Sequence, residues 1–543
     1  MTNTLNALRE VLGAEPLRQW NAVDLAWVPV RLPDGSEQIL TLREALTGAA
    51  SLADIGTSLL PVERDALTRF VVSLTAAALA WSQAPARGGV LPVDAVDAFL
   101  TEHHDQFWLD DPHRPFLQEW HMDMGAAQES LKPRPLDEFH VHVVGPSTSR
   151  WGVRPEHRAA ADLAVLTQLL VRAWFGIPSG NGAAPVGYRQ TQSGGGRTHL
   201  SGAPMVGPQV TAFHLKGSTL AQTLLLNIPT TWTTSGSSPA YLNQDSPFQL
   251  ALLKDPGSLW RNTWTPNRAV IVWDGATPTG FYSGTTSRPI PPVAEATPDT
   301  LVGLKACCKA VTADDYCRAY EEKELKDGTI GRVYAHTAKG ARTTEGFAQW
   351  YRTDRDMALR HWSAKSRLLA PGKDTTVAFH RYIADAKGNG EFSEWAELPL
   401  IELTVPLVHR AALAQVLDLV ENVTSPLNVH LYVASTGKQP GPKAPEHPLK
   451  SGARHRIYAA LDRSVIGWVS DAIAGTLDVA AAKQTVARTA IDVFTTVTTP
   501  LATPATLSTV ECARGEYATK VRTAAAKKTS VHKPQTAPKL TTA

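Results

Sequence analysis

After about residue 402, apolar side chains recur at helical spacing in four successive segments: Leu413, Val416, Leu417 and Val420; Ile457, Leu461, Val465, Trp468 and Val469; Val486, Ala490, Val493 and Phe494; and Leu507, Val510 and Val521. An apolar stripe is stable in water only when buried against another. Four in a row therefore predict an antiparallel four-helix bundle over residues 403–525, with its outer faces left for partners. The Pro/Lys-rich stretch Lys438 to Lys450 links the first two helices and Pro500 ends the third. Thr503-Pro504 is placed to cap and start the fourth. Residues 526–543 are rich in Ala, Thr, Lys and Pro, and no acid follows Glu516, the composition of a disordered basic tail.

The preceding 402 residues have a different pattern. Trp27 to Leu32 and Gln38 to Leu42 read as two strands around the turn Pro33-Asp34-Gly35-Ser36, a strong hairpin signal. Helices are expected over Leu42 to Leu46, over Val62 to Trp81 with a wide buried face, and from about Arg158 to Phe175. Val270 to Trp273 and Thr376 to Phe379 read as buried strands. Residues 105–158 are proline-rich and irregular, and Gly176 to Gly207 reads as a long loop. The expected fold class is α+β: a large mixed α/β N-terminal domain (1–402) followed by the C-terminal four-helix bundle.

With 543 residues the chain has room for two or more domains, and 43% hydrophobic with 19% charged residues is the balance of a folded protein. Net charge is only +2, so any nucleic-acid surface must be local. The N-terminus lacks a secretory signal, and no run approaches the ~18 apolar residues of a membrane helix. Cys307, Cys308, Cys317 and Cys512 form no CxxC pair and no disulfide framework. A cytoplasmic protein with no membrane association is expected.

Catalytic motifs are scarce: no P-loop, GxSxG or HExxH is present. His103-His104-Asp105, with His113 nearby, is the nearest catalytic-looking cluster and admits an alternative reading as a metal-dependent nuclease. Three adjacent residues do not converge on one ion from regular structure, so a helix end is the plainer reading. His140 and His142 alternate as ordinary strand residues do. Gly194-Gly195-Gly196 is either a flexible loop or a place of close backbone approach to a ligand. Arg189, Arg197, His199 and Lys216 flank it with groups suited to phosphate. Between Trp350 and Lys387, eight Lys and Arg (Arg367 and Arg381 among them) interleave with Trp350, Tyr351, Trp362 and Tyr382. Cations with rings suit a nucleic-acid face, and equally a solvated helix with aromatics packed inward.

These pieces resemble one family. Asp24-Leu25-Ala26-Trp27-Val28-Pro29-Val30 is similar to the opening strand of CasA, the large subunit of the type I-E CRISPR Cascade surveillance complex. Gln106 to Leu109 with His113 to Gln118, the glycine run leading to Pro208 to Phe213, and Leu224-Leu225-Leu226-Asn227 resemble further family stretches in the same order. The resemblance runs over nearly the whole chain and ends in the four-helix bundle.

The resemblance implies a non-catalytic subunit with no cofactor. It would recognise the PAM in double-stranded target DNA, contact the 5′ handle of the guide RNA, help start duplex opening, assemble with other Cascade subunits and recruit a helicase–nuclease. The family's glycine loop maps onto Gly194, Gly195 and Gly196, followed by Arg197. Its handle-contacting loop maps onto Pro146 to His157, with Trp151 and Arg154 as contacts. Its strand-opening wedge falls on the turn Ala384-Asp385-Ala386-Lys387-Gly388, which a plain hairpin also explains. The family's Asn-Gln pair is missing there. No lysine stands between Thr279 and Arg288, where a minor-groove lysine belongs, so Arg288 is the basic residue available. The cysteine cluster of some members is absent and zinc is not implied.

Overall fold

The computed structural model describes residues 18–84, 86, 89–111, 113–118, 134–136, 162–175, 189–191, 197–199, 211–244, 257–263, 268–284, 317, 320–324, 330–334, 366–372, 374–384, 390–399, 407–442 and 444–527. They divide into two compact units, one within residues 1–400 and one formed by the helices after residue 401.

The first unit opens with β1 (Ala26–Arg31) and β2 (Glu37–Thr41), paired antiparallel around the expected Asp-Gly turn; β3 (Asp54–Ile55) pairs on the other edge of β1. Thr41 and Glu44 form a reciprocal capping box that starts α1 (Leu42–Thr47). Next come α2 (Pro61–Ser82) and α3 (Val93–Glu102). Pro61 sits at the first turn of α2, where its missing N–H costs nothing. The helix stops at Gln83, which adopts φ 52°. Nearly all of α2 is buried, so it has no solvated face. Phe70 on α2 lies at the centre of an aromatic core, with ring centroids 5.5 Å from Tyr241, 5.8 Å from Trp27, 5.9 Å from Phe116 and 6.2 Å from Phe175. The buried indoles keep their N–H groups bonded: Trp27 Nε1 donates to Ala22 O and Trp174 Nε1 to Thr263 O, both at 2.8 Å.

Short antiparallel sheets surround this core. β4 (Arg134–Pro135) precedes α4 (Leu163–Phe175), and β5 (Arg189–Thr191) pairs with β6 (Arg197–His199). This pairing places a small hairpin inside the stretch read from sequence as one long loop; Arg189 opposes His199 and Thr191 opposes Arg197. β7 (Thr211–Lys216), α5 (Leu220–Asn227) and α6 (Ser258–Thr263) follow. β8 (Arg268–Asp274) and β9 (Thr277–Gly284) form a sheet with β4, and β10 (Tyr320–Glu324) pairs with β11 (Ile330–Tyr334). The last sheet has the order β13-β12-β7, where β12 is Thr376–Ala384 and β13 is Gly390–Pro399. His140, His142, Cys307 and Cys308 lie outside the described residues.

The second unit is helical: α7 (Leu407–Thr424), α8 (Leu427–Thr436), α9 (Pro448–Ala474), α10 (Val479–Thr498) and α11 (Leu507–Ala526). Four of these are the helices expected from the apolar stripes, and α8 is an addition. Pro426 lacks an N–H and disfavours helix at the preceding residue, so the chain breaks after Thr424 and resumes as a separate short helix. The start of the last helix also needs correcting. Thr506, not Thr503, is its N-cap residue, because the Thr506 hydroxyl donates to Leu501 O at 2.6 Å and holds 503–506 as a turn. Gly437 and Gly475 end α8 and α9 in the left-handed conformation, with φ of 71° and 75°. No described helix is long and apolar enough to cross a membrane.

Phe494 on α10 stacks on Tyr517 of α11 with centroids 4.3 Å apart, and the Tyr517 hydroxyl donates to Val423 O of α7 at 2.9 Å. Truncating this buried ring leaves a cavity among three helices. Phe494→Ala is expected to destabilise the helical unit by about 3–5 kcal/mol, read as a lower denaturant midpoint of the far-ultraviolet dichroism.

Candidate nucleic-acid interface

The β13-β12-β7 sheet presents chemically distinct faces. Cross-strand partners share a face, so the registers Lys216↔Thr376, His214↔Ala378↔Glu397 and Ala212↔His380↔Trp395 put Lys216, His214, His380, Trp395 and Glu397 together. Phe213, Leu215, Val377 and Phe379 alternate with them and are buried on the opposite face.

The polar face meets the first turns of α2, where Glu63, Arg64, Asp65 and Arg69 are all buried. Arg64 pairs with Asp54 of β3 and, at 3.1 Å, with Glu397; Lys216 pairs with the same Asp54 and, at 2.9 Å, with Glu397. The Arg64 guanidinium lies 4.4 Å from the Trp395 ring centroid, and the His214 ring stacks on that indole at 5.8 Å. Asp65 has Arg69 at 3.1 Å, His214 Nε2 at 2.6 Å and His380 Nδ1 at 3.3 Å. Glu63 faces Arg172 of α4 at 3.8 Å. The network thus joins α2 and α4 to four strands.

Burial opposes the ionisation of Asp65, but the Arg69 guanidinium and the two imidazoles outweigh it and hold its carboxyl well below the usual carboxylate range. Burial likewise opposes ionisation of Glu397, and Lys216 overcomes it, lowering that carboxyl too. Burial pushes the His214 imidazolium down against the pull of Asp65, so the ring is neutral at pH 7 and donates its Nε2 proton to the carboxylate.

This network sits at the root of the β12–β13 hairpin. Among the described residues β7 pairs with β12 from Thr376 to Arg381, and β12 and β13 are paired to Ala384↔Gly390. Tyr382, Ile383 and Ala384 thus continue the β12–β13 ribbon three residues, or about 10 Å, beyond the described part of β7. A register shift between Ile383 and Ala384 adds twist near its end. Ala384 belongs to the strand. Asp385, Ala386, Lys387 and Gly388 occupy the connection at the end of the ribbon and lie outside the described residues. Gly194, Gly195 and Gly196 stand likewise between β5 and β6, outside the described residues, and Arg197 is the first residue of β6. Trp151, Arg154 and Arg288 also lie outside.

Two cations proposed for phosphate are placed otherwise. Lys216 is 5% exposed and committed to Asp54 and Glu397, and Arg367 is 8% exposed, its guanidinium lowered by burial to about 10. Neither lies on a surface that DNA can reach. The His103-His104-Asp105 cluster diverges. The His103 ring lies against Phe99 at 4.4 Å, His104 Nε2 is 2.7 Å from Asp24 Oδ2, and Asp105 Oδ1 accepts from Trp108 Nε1 at 3.4 Å. Among the described residues no three His, Cys, Asp or Glu are grouped to hold a metal ion.

The network itself was missed in the sequence. Its signal is present: Glu63, Arg64, Asp65 and Arg69 open a helix that has no polar face to receive them. Breaking a buried pair strands its partner, so Asp65→Ala is expected to destabilise the first unit by about 3–5 kcal/mol. Asp65 and His214 both have lowered folded pKa values, so the unfolded chain binds their protons first as pH falls. Their contribution is complete above ~6.5 for His214 and ~3.9 for Asp65, and is lost below those values. The urea midpoint is expected to fall from pH 7 to pH 5, less steeply in His214→Asn. An equal slope in both would contradict this assignment.

The sequence of residues 21–493 matches the model of the CRISPR-associated protein Cse1 family. No curated protein sequence matches the chain. Among solved structures, Thermobifida fusca Cse1 is similar with TM-score 0.65 and 15% identity, covering 94% of this chain and 98% of that one. Thermus thermophilus CasA (Cse1) gives 0.61 and 17%, covering 93% and 100%. A chain of a CRISPR RNA-guided surveillance complex gives 0.59 and 18%, covering 92% and 99%. At these identities the structures establish a shared fold, and the family model spans most of the sequence: the chain belongs to the CRISPR-associated protein Cse1 family.

Proposed function

We propose that this protein is the large subunit of an RNA-guided CRISPR surveillance complex, and that it recognises the PAM in duplex DNA and helps begin its opening without catalysis of its own. The observation that carries this reading is membership of the Cse1 family over residues 21–493. The fold likeness to a chain of a CRISPR RNA-guided surveillance complex supports it. The complex delegates most sequence reading to guide pairing, so the protein has to read a short motif and separate the first base pair.

Two connections suit those tasks. The glycine run between β5 and β6 offers backbone without side chains, which fits a minor groove only ~6 Å wide. Asp385 to Gly388 connect β12 to β13 in the sequence, and in this reading Lys387 meets a phosphate while the segment presses on the first base step. Unstacking that step costs a few kcal/mol, which a wedge on a rigid support can supply through backbone contacts. Trp151 and Arg154 contact the guide RNA 5′ handle, Arg288 serves as a minor-groove cation, and outer faces of the helical unit meet other subunits and a helicase–nuclease.

In the assembled complex, Gly195→Leu is expected to weaken PAM-dependent duplex binding about tenfold, about 1.4 kcal/mol, and to spare guide-RNA assembly. Unchanged PAM discrimination would remove the loop from the site. Asp385→Ala with Lys387→Ala should slow R-loop formation on intact duplex about tenfold, and much less on a target already unpaired beside the PAM. Equal losses on both substrates would mean general DNA binding and no wedge. The purified protein should leave DNA and RNA intact with divalent metals; cleavage abolished by His104→Ala would restore the nuclease reading.

A further inference from the structure

The helical unit contains a cavity of about 890 Å³ lined by α10, the end of α11 and Gln415 of α7. Four cations line it, Lys483, Arg488, Arg522 and Lys527, against one carboxylate, Asp492. Its remaining wall is built largely of alanines with Val479 and Ile491, so short side chains leave the space open. The volume falls within the range of small-ligand sites.

Lys483 makes this more than a basic surface. The residue is 9% exposed, and among the described residues its ammonium has one hydrogen bond, to Lys527 O at 3.4 Å. An ammonium is a donor of three bonds, and burying it without a counter-charge is costly. No carboxylate pairs with it among the described residues, and Asp492 is exposed. Arg488 and Arg522 are also exposed and have no hydrogen bond or ion pair among the described residues, and a guanidinium fork suits a planar or tetrahedral anion. The N-terminus of α10 at Val479 adds the positive end of a 20-residue helix, although Asp478 already caps Ala481 N at 3.0 Å. The chain beyond residue 527 carries Lys528, Lys533 and Lys539 and no acid, so it has no side chain to neutralise the cavity.

We propose that this cavity binds a phosphate-bearing ligand, with Lys483 as the interior contact and Arg488 and Arg522 as the rim. Tetrahedral phosphate is favoured over a peptide carboxylate because the open pocket combines one largely buried lysine with two exposed guanidinium forks. A ligand with several anionic oxygens offers an acceptor to each of them. Its source is either the backbone of a nucleic-acid strand or a free nucleotide or polyphosphate, which offer the same group to the same contacts. The site lies wholly within the helical unit and does not depend on the PAM reading.

The test is titration calorimetry on the full chain at low salt with four probes: tripolyphosphate, ATP, a 12-nucleotide single-stranded DNA and a glutamate-rich peptide. Lys483→Met keeps the apolar stem, and the exposed pair Arg488→Gln with Arg522→Gln tests the rim without disturbing the interior. Each is expected to weaken tripolyphosphate binding at least tenfold, while Lys438→Gln, which matches the single charge removed by Lys483→Met on the same unit, leaves it unaltered. DNA binding that is stronger than ATP binding and lost in these variants would support the site and identify a strand as its source. Equal or tighter ATP binding, lost in the same variants, would support a free ligand. Absence of phosphate binding at millimolar concentration, binding that survives the rim substitutions, or capture of the glutamate peptide alone would overturn the proposal.

Discussion

The carboxylate of Asp65 is the point on which the first unit depends. It is fully buried, yet it is ionised, because Arg69 stands one helical turn away and His214 and His380 reach it from two neighbouring strands. An unpaired charge at that depth would cost many kcal/mol, so helix and sheet must meet in one relative placement. The Asp54, Arg64, Lys216 and Glu397 group extends the same requirement to β3 and β13. Purely apolar contacts tolerate sliding; directional pairs between buried charges do not. Such a network contributes little net stability over a hydrophobic replacement; what it supplies is directional contact between α2 and the β13-β12-β7 sheet.

That contact links the fold to the proposed work on DNA. A two-stranded ribbon transmits force to a base pair only if its root is fixed. The root at Ala378 and His380 packs directly on the ion network. Lys216, which sequence alone offered as a phosphate contact, acts from inside as part of this anchor. Its charge serves the protein's own carboxylates.

Much of the architecture was legible. The Asp34-Gly35 turn and the four C-terminal apolar stripes each have a local cause that tertiary context did not override. What escaped had longer-range causes. The short helix after Pro426 follows from a break whose continuation depends on packing against α11 through Val433, Ala434, Val510 and Ala513. The β5–β6 hairpin has strands of three residues, too short to show periodicity. The burial of Arg367 and Lys216 cannot be read from composition, because a basic stretch looks alike whether its cations face solvent or a buried carboxylate. The His103-His104-Asp105 run was legible as a poor metal site on spacing alone, and its three side chains take separate partners.

The proposal that this Cse1-family chain works within an RNA-guided complex has a direct experimental readout. It is tested most directly by purifying the protein together with the products of its genomic neighbours and extracting bound nucleic acid. The expected product is a stoichiometric short RNA with a constant 5′ end and a variable remainder. A complex that forms without RNA, or that holds RNA of random length and sequence, would contradict it.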